Sequence, residues 1–356
     1  MKLIPSSIIS LLLVATSFCN IKAQTGTILG DSIKRVVDKH INNNKFSGIV
    51  RISKNDQDIF SSVNGYADEA LQKSFTSSTR FSIGSIGKLM TAVLVMKLVE
   101  EGKVDVNKTI DTYLPEWKIP NGANITVANI LEMRAGLGDY MRSQEHQELR
   151  GKTASLDDLM KIVVKQPLQN ETAGSKFSYS NSGFIVLGKL VEKMEGKSYF
   201  EALSDRILKP LKMNSATFKI NFDDVNGFAK GYVQEDGGWK AQTTIIPPAS
   251  DGGLFITFED FMKFDKGLFD GKVISKETLD KMKPADPKNY GFGMMRTKLS
   301  NGVGYGHNGG MPGYEAEYRH FFIGMDQYTV LIFTNHDRRA MTLMADIKNQ
   351  LERIVD

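Results

Sequence analysis

The chain has 356 residues, 41% of them hydrophobic and 24% charged, with 32 Gly, 10 Pro and a formal net charge of +4. This composition excludes a disordered polymer, a collagen-like repeat and a polytopic membrane protein, and a chain of this length can bury a core that needs neither a structural metal nor disulfides. Lys and Arg are scattered among Asp and Glu without a clustered basic stripe, so nucleic acid is not expected as a partner.

The first signal along the chain is an export leader. Lys2 gives a positive start, Ile8–Cys19 is mostly apolar, and Ile21-Lys22-Ala23 ends on a small residue, which predicts a signal peptide over residues 1–23. The apolar run is too short for a permanent membrane span, and no later segment reaches the required length. A lipid on Cys19 is the poorer reading, because Phe18 is bulky where attachment sites carry a small residue. Cleavage leaves residues 24–356 with a charge of +2, since Lys2 and Lys22 are lost and no acidic residue is. Cys19 is the single cysteine, so the exported chain holds no thiol; this excludes thiol catalysis and suits a periplasmic or secreted location.

Apolar residues Ile33, Val36, Val37 and Ile41 predict a helix over Ile28–Asn43, followed by strands over Phe46–Ser53 and Asp58–Tyr66 around the turn Lys54-Asn55-Asp56. Ser85–Glu101 reads as a helix apolar on nearly every side, hence central, and ends before Gly102. Between about Thr126 and Gly271 helix starts dominate, with Ser155-Leu-Asp-Asp158 and Thr257-Phe-Glu-Asp260 as capping boxes and a helix over Ser182–Met194. Beyond Tyr290, strands are expected over Val303–His307, Tyr314–Phe322 and Tyr328–Asn335, then an amphipathic helix over Arg339–Ile354. The expectation is a mixed α/β fold: one domain over 24–356 whose sheet is built from both chain ends (24–110 and 290–356) and flanked by helices, with a mostly helical part over 111–289. A cleft between the two parts is a natural ligand site.

Three triplets, each occurring once, carry chemistry. In Ser85-Ile-Gly-Lys88 the three-residue offset stacks an amine one helical turn above a hydroxyl, where a desolvated amine can take the hydroxyl proton; the bland reading is an N-cap Ser with a snorkelling Lys. Tyr179-Ser-Asn181 precedes a helix, so that Tyr179 could relay protons and the Asn181 amide bond both Lys88 and a substrate carbonyl, or Ser180 or Asn181 could simply cap. His307-Asn-Gly309-Gly310 falls where a strand meets a Gly-rich turn. The N–H groups of Gly310 and Ser85 could form an oxyanion hole and His307 could donate to substrate or to Tyr179; alternatively this is a hairpin with an incidental His.

The order Ser-Lys, Tyr-Asn, His-Gly resembles the serine β-lactamase and penicillin-binding protein superfamily, in its class C-like branch of D-alanyl-D-alanine carboxypeptidases, D-aminopeptidases and esterases. The likeness extends through Phe81–Lys88, Phe177–Gly183, Leu208–Met213, Gly252–Leu254 and Gly306–Gly313. It implies a β-lactamase/transpeptidase-like fold, with Ser85 as acylated nucleophile, Lys88 and Tyr179 as proton-transfer pair, and Asn181, His307, Gly309 and Gly310 around the substrate. The implied substrates are small molecules or peptides (a D-amino-acid peptide, an ester, or a β-lactam as a minor activity), with no cofactor; a catalytically idle relative that binds peptidoglycan or acts as a scaffold is the alternative.

Two departures matter. His307 stands where true class C β-lactamases carry the Lys of Lys-Thr-Gly, exchanging a fixed cation for a group that titrates near neutrality, and Met133-Arg-Ala-Gly-Leu137 replaces the His-Thr-Ser-Gly-Leu-like run of many relatives, with Arg134 read as a surface charge in preference to a ligand for a carboxylate. No Gly-x-Ser-x-Gly elbow, His-Glu-x-x-His or dinucleotide fingerprint is present, and His40, His146, His320 and His336 are too scattered to predict a metal site. Tyr314, Tyr318 and His320 alternate as one face of a strand would.

Overall fold

The computed structural model describes residues 28–43, 46–220, 227–242, 246–285 and 289–353. The expected leader, Cys19 included, lies outside them. Six strands form one antiparallel sheet: β1 (Gly48–Lys54), β2 (Gln57–Asn64), β3 (Met295–Lys298), β4 (Gly302–Met311), β5 (Tyr314–Ile323) and β6 (Asp326–Thr334), in the order β2-β1-β6-β5-β4-β3. The two chain ends meet where β1 pairs with β6, Gly48 opposite Thr334 and Lys54 opposite Tyr328, as the sequence predicts.

Each sheet face buries its own core. On one side Val50, Ile52, Val330 and Ile332 pack under α1 (28–43) and the C-terminal helix Ala340–Arg353, whose Leu343, Ile347 and Leu351 recur at helical spacing. On the other, Ile49, Tyr318, Leu331 and Phe333 face the helical part, where α2 (Gly87–Glu100) is buried through Gly87–Met96 and again at Leu98. A helix apolar all round has to be enclosed, and α2 is the axis of the second core.

Several boundaries differ from expectation for identifiable reasons. The region read as helical also holds the hairpin Tyr232–Glu235/Gly238–Ala241 and the strand Phe255–Thr257, paired with Arg80–Ser82, segments too short to show a period. Strand β4 does not stop at His307. Its register with β5 runs on to Met311 opposite Tyr314, so Gly309 and Gly310 are strand residues and the turn is Pro312-Gly313. Ser155 closes its capping box with Asp158. Thr257 caps through the Asp260 N–H, but the Asp260 carboxylate bonds Ser215 and Lys263 instead of closing a box. Tyr318 and His320 do share a face, both bonding the buried Asp265.

Candidate active site

Ser85 does not begin an α-helix. It sits in a 3-10 turn, Gly84–Ile86, immediately before α2, and its side chain caps nothing, which disposes of the N-cap reading. Gly84 has φ +48°, and a Cβ there would stand 2.7 Å from the Gly310 nitrogen, so only glycine lets the turn lie against β4. Lys88, in the first turn of α2, is fully buried. Its Nζ donates to Ser85 Oγ at 3.0 Å and to the Asp251 carbonyl at 2.6 Å. A buried amine bonded to a half-buried hydroxyl is the juxtaposition that the three-residue spacing predicts.

Tyr179 joins them with its ring. The Lys88 Nζ lies 5.2 Å from the Tyr179 ring centroid and 5.8 Å from that of Phe184, a cation–π arrangement that presents the ring to the ammonium. Asn181 opens the helix Asn181–Glu195, and its amide donates to Asp139 at 2.9 Å; the expected bond to Lys88 is not formed, the Lys88 amine bonding Ser85 and the Asp251 carbonyl instead. The Asp139 segment is fastened to this helix start by Ser182 Oγ accepting the Tyr140 N–H and by Ser180 Oγ donating to the Gly138 carbonyl.

His307 is where the structure departs most from the sequence reading. The side chain is fully buried, Nδ1 lies 2.5 Å from the Asn308 carbonyl oxygen, and Nε2 lies 3.0 Å from the Tyr290 hydroxyl. A carbonyl can only accept, so Nδ1 carries the proton and Nε2 accepts from Tyr290. Burial, with a smaller push from the Lys88 charge, lowers the imidazole pKa from 6.5 to about 3. His307 is therefore neutral at physiological pH and has no spare donor for substrate or for Tyr179.

The two glycines that follow differ sharply. A Cβ on Gly309 would stand 2.0 Å from the Ile83 carbonyl oxygen, whereas one on Gly310 would meet nothing within 4 Å. Gly309 is the point of contact between β4 and the Ser85 turn, and Gly310 borders open space.

That space is a cleft of about 300 Å³ lined by Ser85, Tyr179, Asn181 and Gly310, with Met141, Ile246 and Met311 as apolar wall. Sequence reasoning missed Asp251, Asp139, Tyr290 and Arg150. Asp251 is buried behind Lys88 and accepts from the Tyr140 hydroxyl at 3.0 Å; desolvation raises its carboxyl pKa, opposed by the Lys88 charge. The signal nearest to it was the adjoining Gly252-Gly253. Arg150 also lines the cleft and is the one cation among its described lining residues. Arg134 is no free surface charge: its side chain is 22% exposed, and its guanidinium reaches the Gly174 and Ser175 carbonyls at 3.5 and 3.4 Å. The neighbouring Met133 carbonyl accepts the Ser178 N–H at 2.7 Å, so this run backs the Tyr179 segment. Among the described residues no cluster of His, Asp or Glu could hold a metal ion.

A family profile described as Beta-lactamase matches residues 33–353, nearly the whole chain. The chain belongs to the Beta-lactamase family. Within it the sequence is 28% identical over 346 residues to PbpX of Bacillus subtilis (strain 168), a protein named for the penicillin-binding proteins, over 94% of this chain and 83% of that one. It is 27% identical over 268 residues to the teichoic acid D-alanine hydrolase of Staphylococcus aureus (strain NCTC 8325 / PS 47), over 72% of this chain and 64% of that one. The crystal structure of a penicillin binding protein from Bacillus halodurans superimposes with a TM-score of 0.75 at 25% identity, covering 89% of this chain and 98% of its own. The β-lactamase/transpeptidase-like fold expected from the motifs is the fold observed.

Proposed function

We propose that the protein is an exported serine hydrolase that forms a covalent acyl-enzyme on Ser85 and cleaves the amide or ester bond of a D-aminoacyl substrate. The observation that carries this reading is the buried Lys88 amine 3.0 Å from a hydroxyl at the wall of an open cleft. In its neutral form that amine takes the Ser85 proton as Oγ attacks the carbonyl carbon. The oxyanion hole is assigned to the main-chain N–H groups of Ser85 and Gly310, two residues that line the cleft. Tyr179 hands a proton to the leaving amine or alcohol as the C–N or C–O bond breaks, and water then releases the acid by the reverse sequence. Asn181, fixed by Asp139, and Arg150 orient the substrate. No step calls for a cofactor.

The relative named as a D-alanine hydrolase supports the D-aminoacyl preference. A neutral His307 supplies no cation for the carboxylate of a β-lactam, so turnover of that class is expected to be minor. The test is labelling with a fluorophosphonate and a fluorescent penicillin, followed by a panel of D-alanyl esters, D-amino-acid amides, a D-Ala-D-Ala peptide and nitrocefin. An adduct on Ser85 and D-selective ester or amide turnover are expected. Absence of any adduct from the native protein would replace this reading with that of a binding-only relative.

A further inference from the structure

Behind the Lys88 amine lies a carboxyl that the proposed reaction leaves unused. Asp251 is 2% exposed, and its Oδ2 accepts the Tyr140 hydroxyl at 3.0 Å. Tyr140 is fully buried too. Burial, and after it the Asp251 charge, raises the pKa of the phenol, so the hydroxyl keeps its proton and donates.

These groups rest on two helices. Thr91 of α2 donates to the Ser250 carbonyl at 2.5 Å, and Ser250 Oγ donates to the Phe184 carbonyl of the helix Asn181–Glu195 at 2.8 Å. The Tyr140 N–H donates to Ser182 Oγ on that same helix. The Asp251 main chain is thereby fixed with its carbonyl 2.6 Å from Lys88 Nζ. Any residue type would supply that carbonyl, so holding the amine does not account for a carboxyl at this position. Stability does not account for it either, because taking a carboxylate out of water is costly and apolar side chains filling the same volume often serve a fold as well or better.

What the side chain adds is charge beside Lys88. Burial favours the neutral acid at Asp251, whereas the Lys88 charge, the Tyr140 hydroxyl and the residue's own N–H favour the carboxylate. The attraction is mutual, so a carboxylate here favours an ammonium at Lys88. The other titratable or charged groups around the pair are Tyr179, whose ring lies over Lys88; Asp139, which Asn181 holds; Tyr199, kept protonated by burial; His146, edge-on to the Tyr140 ring and kept neutral by burial; neutral His307; and Arg150 in the cleft lining.

We infer that Asp251 is the third member of a Ser85–Lys88–Asp251 relay, a positioning residue whose carbonyl aims the amine and whose carboxylate, held by Tyr140, balances the ammonium formed when Lys88 takes the Ser85 proton. One proton leaves Ser85 Oγ for Lys88 Nζ as Oγ bonds the carbonyl carbon, and Asp251 neither gains nor loses one. A base oriented and charge-balanced by a third group is the general logic of such relays. The relay rests on the hydrolase reading above; the charge coupling between Lys88 and Asp251 does not.

The test separates the two. In full-length protein isotope-labelled on its lysines, the Lys88 signal, identified by its loss in Lys88→Met, is titrated by NMR in the wild type and in Asp251→Asn, which keeps shape and carbonyl but not charge. The titration should move to lower pH by about one unit, a tenfold change in the ionisation equilibrium. The limiting rate of Ser85 labelling by a fluorophosphonate should fall about tenfold with its half-saturating concentration unchanged, and the acidic limb of that rate should move to lower pH with the NMR titration. Tyr140→Phe, which removes only the hydroxyl that holds the carboxylate, should shift both in the same direction by less, and keeps the test readable should Asp251→Asn fold poorly. An unmoved Lys88 titration, or slower labelling with an unmoved pH profile, would overturn the inference, because a carboxyl that only supports the fold changes neither. A shifted titration in a protein whose Ser85 takes no label would sink the hydrolase reading and leave the coupling standing, whereas labelling and ester turnover with an unshifted titration would do the reverse.

Discussion

The two walls of the cleft were approached with the same kind of evidence, a single triplet each, and they came out differently. On the helix wall, Ser85 and Lys88 meet because they are three residues apart, and local geometry alone brings amine to hydroxyl. On the strand wall, His307 is turned inward against Tyr290 and the Asn308 carbonyl, and burial removes the charge that its residue type suggests. A motif held together by helical spacing keeps its meaning in the fold. A motif whose chemistry depends on protonation takes its meaning from whatever packs around it.

The comparison breaks most visibly at Lys88. Lys88→Met, which nearly conserves volume, should lower kcat/KM for the best ester by a factor on the order of 10³ and abolish fluorophosphonate labelling. Because it also leaves the buried Asp251 carbonyl without its donor, a loss of about 1–3 kcal/mol in urea denaturation should accompany it. Activity within tenfold of wild type would mean that the helix wall carries no proton transfer.

Next come the glycines of the strand wall. Gly309→Ala forces a methyl to within 2.0 Å of the Ile83 carbonyl oxygen, so β4 must move away from the Ser85 turn at a cost of about 1–3 kcal/mol, and acylation should slow with it. Gly310→Ala meets open space and should leave the unfolding free energy within about 0.5 kcal/mol of wild type. Equal destabilisation of the two variants would contradict the strand register.

The smallest effect concerns pH. The folded pKa of His307, about 3, lies below its unfolded value near 6.5, so the unfolded chain binds more protons between the two. Its stabilising contribution is complete above pH 6.5 and is lost progressively as pH falls towards 3. Urea midpoints measured from pH 7 to pH 4 should fall less steeply for His307→Gln than for wild type. Over pH 5–8 the kcat/KM profiles of carboxylate-bearing and neutral substrates should run parallel; an extra loss for the carboxylate near pH 6.5 would restore His307 as a titrating ligand.

Much of the fold was legible from periodicity. The N-terminal helix, the pairing of both chain ends in one sheet and the enclosed α2 follow from strong apolar patterns, and the helix at Asn181 lies within one residue of its expected limits. The short pair Arg80–Ser82/Phe255–Thr257 was not, since three residues give no period. Asp251 and Asp139 were equally invisible, being single carboxylates whose partners, Lys88 and Tyr140 for one and Asn181 for the other, lie 42 or more residues away. The carbonyls that Arg134 reaches were not readable either, because a lone Arg after Met133 gives no hint of them.

The order of residues by itself determined the contact between Ser85 and Lys88, because a three-residue step from the 3-10 turn into the first turn of α2 closes it locally. Only the tertiary structure decided that Asn181 answers to Asp139, that His307 is neutral, and that Gly309 touches while Gly310 faces a void. Each of those depends on desolvation or on a close approach between distant segments, and neither is encoded in any local pattern of the chain.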